Sequence, residues 1–173
     1  MSSEIIFIIE VSLLIIGSGI CSGLNVSVMS LNLQDLKRQA QLGNASAKKV
    51  LPYRKNAHLT LASILLTNVA FASASSIVLA GKMNGFVAAA ISTILLVIFG
   101  ELLPQAIFTR HALKIVNFFV PFLQFMKIIT YPLAKPLQLI LDKWFGTEKP
   151  FLHTRNELSL IIGEHINHSS SEL

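Results

Sequence analysis

The sequence has little charge. Asp, Glu, Lys and Arg make up only 13% of its 173 residues, against roughly 25% in typical soluble domains. Hydrophobic residues make up 53%, and the mean hydropathy is +0.64. The composition therefore predicts a membrane protein.

Cysteine is almost absent as well. Cys21 is the only cysteine, so the chain can form neither an intrachain disulfide nor a cysteine-based zinc cluster. Lys and Arg exceed Asp and Glu by 14 to 9, but the basic residues are spread between apolar segments. This distribution favours an anionic membrane surface over a nucleic acid as the partner.

Three apolar segments approach the ~20 residues that a helix needs to cross a ~30 Å hydrocarbon core. They are residues 5–31, 59–81 and 85–108. The residues before the first segment, MSSE, include no Lys or Arg, which argues against a cleaved signal peptide. The second and third segments are separated by only three residues, and so short a link predicts antiparallel neighbours.

The basic residues between the spans predict the orientation. Six Lys or Arg side chains lie in the connection 32–58, one lies in the link 82–84, and none precedes the first span. By the positive-inside rule, the connection 32–58 is cytoplasmic and the N-terminus is outside.

The remaining segments predict helices at the membrane surface. Residues 33–55 alternate apolar and charged positions at helical spacing, which predicts two short amphipathic helices on the cytoplasmic face. Residues 112–145 are more apolar, but Pro121, Pro132 and Pro136 interrupt them. We expect kinked helices in the cytoplasmic interface; the alternative is a fourth span, which would put the C-terminus outside.

Residues 151–173 predict the start of a cytoplasmic helix. Thr154 and Glu157 have the spacing of a capping box. His165 and His168 are three residues apart, which permits metal binding, but no third ligand is evident and an exposed helix end is the simpler interpretation.

Polar side chains interrupt all three spans at similar depth. Counted at ~1.5 Å per residue from Val11, Gly81 and Gly85 as the outer ends, they lie about 17 to 27 Å deep. The oxygen-bearing members are Ser22, Asn25, Ser27, Ser63, Asn68 and Glu101. Hard cations such as Mg²⁺, Ca²⁺ and Na⁺ bind oxygen ligands, whereas zinc and copper favour His and Cys. One carboxylate among neutral oxygens predicts a site that binds a hard cation weakly enough to release it.

Glu101 and Pro104 are the most informative pair of residues. An intramembrane carboxylate is functional by default; the alternative is a protonated carboxyl group that bonds a neighbouring helix. Pro104 lacks an N–H, which predicts a kink and a freed carbonyl at Gly100. Gly100 has no side chain to keep an ion from that carbonyl. The serines are more ambiguous, because a membrane serine often bonds its own helix.

Two glycines add a packing signal. Gly19 and Gly23 have GxxxG spacing, which favours close approach of helices or dimerisation.

At these residues the sequence resembles the transmembrane domain of the CNNM/CorC family of magnesium transport proteins. The segments CSGLNVSVMSLNLQDLKRQAQLGN, LLTNV and STILLVIFGELLPQAIFTRHAL carry the resemblance, which covers about residues 12–165. SGLN and PQA are closer to the CNNM branch. The resemblance implies an all-α homodimer with three transmembrane helices per subunit, juxtamembrane helices, an external N-terminus and residues 112–145 on the cytoplasmic side.

The resemblance also implies a function and an ion site. The family is associated with Mg²⁺ movement, in several members as Na⁺-coupled efflux. Many members have a second Asn where Ala72 stands here, so one ligand is missing or is replaced by Ser73. The family's site residues, carried over by motif, are Ser22, Gly23, Asn25, Ser63, Asn68, Gly100, Glu101 and Pro104.

Family members usually continue into a pair of CBS nucleotide-binding modules. This sequence stops where those modules begin, so we expect a shortened or minimal form, and ATP-dependent regulation is not assigned to these residues.

We therefore expect a Mg²⁺ transporter of the cell membrane that alternates access by hinging at Pro104. The alternative is a membrane scaffold that senses Mg²⁺ and regulates a partner channel. An enzyme is disfavoured, because there is no HExxH motif and no His or second carboxylate at the depth of Glu101.

Overall fold

The computed structural model of the protein describes residues 2–146, in which helix follows helix without a strand. Three helical segments are long and apolar enough to cross a membrane: Ser3–Ser30, Ala57–Ala80 and Gly85–Phe118. The predicted all-α fold with three membrane-crossing segments is confirmed. The helix predicted over residues 151–173, with its capping box and its two histidines, lies outside the described residues.

The first span is one helix, α1 (Ser2–Ser30). It begins three residues before the predicted segment and carries Glu10 within its length. Near its start, Lys82 Nζ donates to Glu4 Oε1 at 2.6 Å. This contact ties the beginning of α1 to the link between the second and third spans, so these ends lie on the same side of the molecule.

Two short helices follow, α2 (Leu33–Gln41) and α3 (Ala45–Lys55). Asn32 and Asn44 cap them, because each side-chain oxygen accepts hydrogen bonds from two backbone N–H groups of the first turn. Arg54 Nε donates to the Leu31 carbonyl at 2.7 Å. That bond holds α3 against the C-terminal end of α1.

The second span, α4 (Ala57–Ala80), packs along α1 and forms the centre of the fold. The main apolar core combines residues of α1 with residues of α2, α3, α4 and the helices that follow. Its largest buried side chains are Leu24, Val28, Leu36, Val50, Ile64, Val116, Leu123 and Met126.

The third span is divided into α5 (Gly85–Leu95), a π-helical segment (Leu96–Leu102) and α6 (Leu103–Phe108). The Leu103 N–H donates to the Ile98 carbonyl, five residues back. Pro104 follows as the second residue of α6, and because it has no N–H, a carbonyl of the preceding turn loses its helical donor. The kink predicted at Pro104 thus falls directly after a π segment that the sequence did not predict.

A 3₁₀ turn (Thr109–His111) and α7 (Ala112–Phe118) lead to a long final helix, α8 (Val120–Phe145). The helices predicted over 112–145 correspond to α7 and α8, and α8 continues through Pro132 and Pro136. Both prolines are exposed and lie one turn apart on the same face. Their rings and the carbonyls that lose donors thus face away from the core.

Candidate functional site

A hydrogen bond between α1 and α4 marks the junction of the three spans. Ser18 Oγ donates to Asn68 Oδ1 at 2.7 Å, and Ser18 is 2% exposed. A Cβ placed on Gly100 would lie 3.1 Å from the same Ser18 hydroxyl. Asn68 and Gly100, both predicted site residues, therefore meet at Ser18, which the sequence analysis did not single out.

One turn further along α1, a second polar contact reaches the third span. Gln105 Nε2 donates to Ser22 Oγ at 2.8 Å, and Ser22 is buried. The predicted site residue Ser22 is thus held by a side chain of α6, next to Pro104 in sequence. This bond uses one acceptor position of the hydroxyl and leaves its proton for another partner.

Several buried oxygens have no partner among the residues that the structure describes. Asn25 Oδ1 and Ser63 Oγ, both predicted ligands, belong to this group, and so do Ser27 Oγ and Asn117 Oδ1. Because buried polar atoms are nearly always hydrogen-bonded, each of these four oxygens, on α1, α4 and α7, calls for a partner that the described residues do not supply. They are available to a ligand that offers positive charge.

The backbone of the π segment comes close to α1. A Cβ on Gly19 would lie 2.9 Å from Pro104 Cγ and 3.0 Å from the Phe99 carbonyl oxygen. The Leu103 N–H is bonded to Ile98 and Pro104 has no N–H, so neither usual helical donor is available to Phe99. The Phe99 carbonyl is therefore without its usual helical donors, next to the Gly100 carbonyl that was predicted to be freed.

Gly23 serves a similar purpose one turn later, since a Cβ there would overlap the Phe108 ring at 2.5 Å. The GxxxG pair of α1 thus packs against the third span of the same chain.

Glu101 stands apart from these contacts. It lies in the π segment directly after buried Gly100, but its side chain is exposed. The structure does not bring this carboxylate into hydrogen-bonding contact with the Ser and Asn oxygens of residues 2–146. Ser73, the predicted substitute for a missing ligand, is also exposed.

Ser18 and Gln105 were missed for different reasons. A depth counted from Val11 puts Ser18 only about 10 Å from the surface, outside the group of polar residues at 17 to 27 Å. Its position four residues before Ser22, on the same helix face, was the available signal. Gln105 lies within the PQA motif, but nothing in the sequence showed that it faces Ser22.

The site is poor in charge. Among residues 2–146, no three His, Cys, Asp or Glu side chains are grouped in a way that could hold a metal ion. Hydroxyl, amide and backbone oxygens dominate instead, with the Glu101 carboxylate nearby in sequence. Such a donor set suits a hard cation held weakly.

The fold and the site define a multi-pass, all-α membrane protein with an oxygen-lined junction between its spans. Residues 8–172 match the family described as Cyclin M transmembrane N-terminal domain, CNNM. The match covers nearly the whole chain, and the chain belongs to this family.

Curated relatives agree with this assignment. A DUF21 domain-containing protein of Arabidopsis thaliana is 35% identical over 170 residues, which cover 96% of this chain and 40% of the relative. Metal transporter cnnm-1 of Caenorhabditis elegans is 35% identical over 148 residues, 83% of this chain and 18% of the relative. Protein MAM3 of Saccharomyces cerevisiae is 30% identical over 165 residues, 92% of this chain and 23% of the relative. The chain thus spans less than half the length of each.

The name of the nematode relative describes that protein as a metal transporter.

Proposed function

We propose that the chain is the membrane domain of a transporter that carries Mg²⁺ through the junction of α1, α4 and the third span. The observation that carries the proposal is the pair of buried, unpartnered oxygens at Asn25 and Ser63. Both were predicted as ligands from the sequence, and both lie on spans that meet at the Ser18 to Asn68 hydrogen bond.

The energetics favour a bound cation. Each buried acceptor without a partner costs about 1–3 kcal/mol, and Mg²⁺ bound through oxygen ligands would offset that cost. Neutral oxygens replace part of the ion's water shell, while the weakness of such ligands allows the ion to leave. A transport site has to bind its ion and then release it.

Glu101 supplies the charge in this proposal. A carboxylate exposed within a membrane span is costly unless a partner or a cation covers it. The π segment that carries Glu101 is the proposed hinge, since π segments often occur at functional sites and have a nearby α-helical alternative. A change of register there would turn Glu101 relative to α1 and open the junction to one side or the other.

The finer points belong to the same proposal. We infer Na⁺-coupled Mg²⁺ efflux, a homodimer in the cell membrane, an external N-terminus, a cytoplasmic C-terminus and no enzymatic activity. The six basic residues in the connection 32–58 support the orientation. Since the chain covers 18–40% of the relatives described above, the full-length relatives have room for the CBS pair that we expect there.

The test is Mg²⁺ uptake into proteoliposomes that contain this chain alone, with and without an opposing Na⁺ gradient. We expect uptake that exceeds that of empty liposomes and rises with the Na⁺ gradient. Uptake without any response to Na⁺ would remove the coupling from the proposal. Intact, reconstituted protein without flux would favour the Mg²⁺-sensing scaffold.

A further inference from the structure

A groove lies between α3 and α8, away from the junction of the spans. Its volume is about 610 Å³. Its polar walls are Lys49, Tyr53, Gln124, Lys127 and Tyr131. All five side chains can donate a hydrogen bond, and two of them carry a positive charge.

The charge around the groove has one sign. No Asp or Glu lines it, and α3 contains none at all. The single carboxylate of α8, on Asp142, is 2.6 Å from His58 Nδ1. It is therefore paired with His58 and does not face the groove lysines. Lys127 Nζ lies 5.9 Å from the centroid of the Tyr53 ring, a cation–π contact that holds this ammonium at the groove wall.

The rest of the groove is apolar. Pro52, Val120 and Ile128 complete its lining. Phe125 and Ile129 lie next to the groove on α8 and are 60% and 59% exposed. An exposed apolar surface of this kind is unfavourable in water. In a chain that crosses a membrane, this surface belongs against lipid tails, so the groove opens where headgroups and acyl chains meet.

We propose that this groove binds an anionic phospholipid of the surrounding membrane. The Lys49 and Lys127 ammonium groups face the phosphate, and the phenols and the Gln124 amide donate hydrogen bonds to its oxygens. Burial raises the pKa of Tyr53, so its phenol stays protonated and remains a donor at neutral pH. The apolar lining contacts the first part of an acyl chain. This inference does not depend on transport through the junction.

The apolar surface favours a lipid over a free phosphate compound. A soluble phosphate would use the two lysines and leave the apolar lining and the exposed face of α8 without a partner. A phospholipid satisfies both parts, and basic pockets at the membrane surface bind anionic headgroups in this way.

The proposal is tested by titrating the purified chain in detergent with dioctanoyl phosphatidylserine, dioctanoyl phosphatidylcholine and glycerophosphoserine. The groove variant carries Lys49→Gln and Lys127→Gln. The matched control carries Lys48→Gln and Lys143→Gln, which remove the same charge from exposed positions on the same two helices.

We expect phosphatidylserine to bind more tightly than phosphatidylcholine. The groove variant should weaken its binding about thirtyfold, since each basic residue near an anionic surface contributes roughly fivefold. The control should change it less than threefold. Equal losses in the two variants would overturn the groove as the site, and so would equal affinity for the two lipids. Equally tight binding of glycerophosphoserine would make a soluble phosphate the ligand and overturn the lipid proposal.

Discussion

The hydroxyl of Ser18 donates to the side-chain oxygen of Asn68 at 2.7 Å. Glu4 and Lys82 form an ion pair, and Ser18 lies fourteen residues after Glu4, as Asn68 lies fourteen residues before Lys82. At 1.5 Å per residue, the junction is about 21 Å along α1 from Glu4 and about 18 Å along α4 from its end at Ala80. The two spans thus stay in register over most of a membrane thickness. The bond fixes the height at which the third span meets them.

Replacing Ser18 with alanine removes the hydroxyl that donates to Asn68, so Asn68 Oδ1 loses this hydrogen bond. We expect a loss of about 1–3 kcal/mol in the free energy of unfolding, seen as a lower thermal midpoint in detergent, together with a lower Mg²⁺ flux. Ser76→Ala is the matched control, because Ser76 Oγ pairs with Ser92 Oγ at 3.0 Å between α4 and α5. Equal loss of flux in both variants would show that the Ser18 contact has no special part in transport.

Gly19 allows the π segment to approach α1. An alanine there would place its Cβ 2.9 Å from Pro104 Cγ and 3.0 Å from the Phe99 carbonyl oxygen, and the backbone carbonyl cannot swing aside. We expect Gly19→Ala to destabilise the protein by about 1–3 kcal/mol through overpacking. The Gly85→Ala variant is the control, since nothing lies within 4 Å of its added Cβ. A thermal midpoint that falls equally in both would contradict the close approach.

The rate at which Cys21 is labelled reports how tightly α8 packs against the spans. Its side chain is fully buried, and its Sγ lies 3.7 Å from Met126 Sδ of α8. We expect a maleimide reagent to modify Cys21 slowly in the folded protein and at least a hundredfold faster after denaturation, because access requires α8 to move away. Rapid labelling of the folded protein would show that α8 is not packed as described.

The spans could be predicted from the sequence because their signal is local. Runs of apolar residues of the right length give membrane-crossing helices regardless of tertiary detail. The short link at residues 82–84 likewise brought the second and third spans together. Apolar length and turn length therefore accounted for most of the architecture.

Hydrogen-bond register is the part of the fold that sequence patterns do not show. Proline predicts a kink, but it does not predict that α8 runs as one helix through Pro132 and Pro136, or that a π segment precedes Pro104. Whether Glu101 points into the junction also depends on this register. A sequence motif identifies Glu101 as a candidate site residue but does not determine the direction in which its side chain points.

Glu101→Gln keeps the size of the side chain and removes its charge. If Glu101 supplies the charge of the ion site, Mg²⁺ flux should fall at least tenfold in proteoliposomes, since a neutral amide attracts a divalent ion far less. Glu10→Gln is the control, because Glu10 is an exposed carboxylate within α1. Unchanged flux in the Glu101 variant would remove this residue from the site.

Pro104→Ala tests the π segment as a hinge. Alanine restores an N–H that can donate to the Phe99 or Gly100 carbonyl. The segment can then return to α-helical register, and this change rotates Gly100 and Glu101 relative to α1. We expect Mg²⁺ flux to fall at least tenfold, whereas the thermal midpoint changes little, because the gained hydrogen bond opposes the lost ring contact with Gly19. Pro121→Ala, in the exposed first turn of α8, should leave flux unchanged. Full flux after Pro104→Ala would mean that transport does not need the π register and would move the hinge elsewhere.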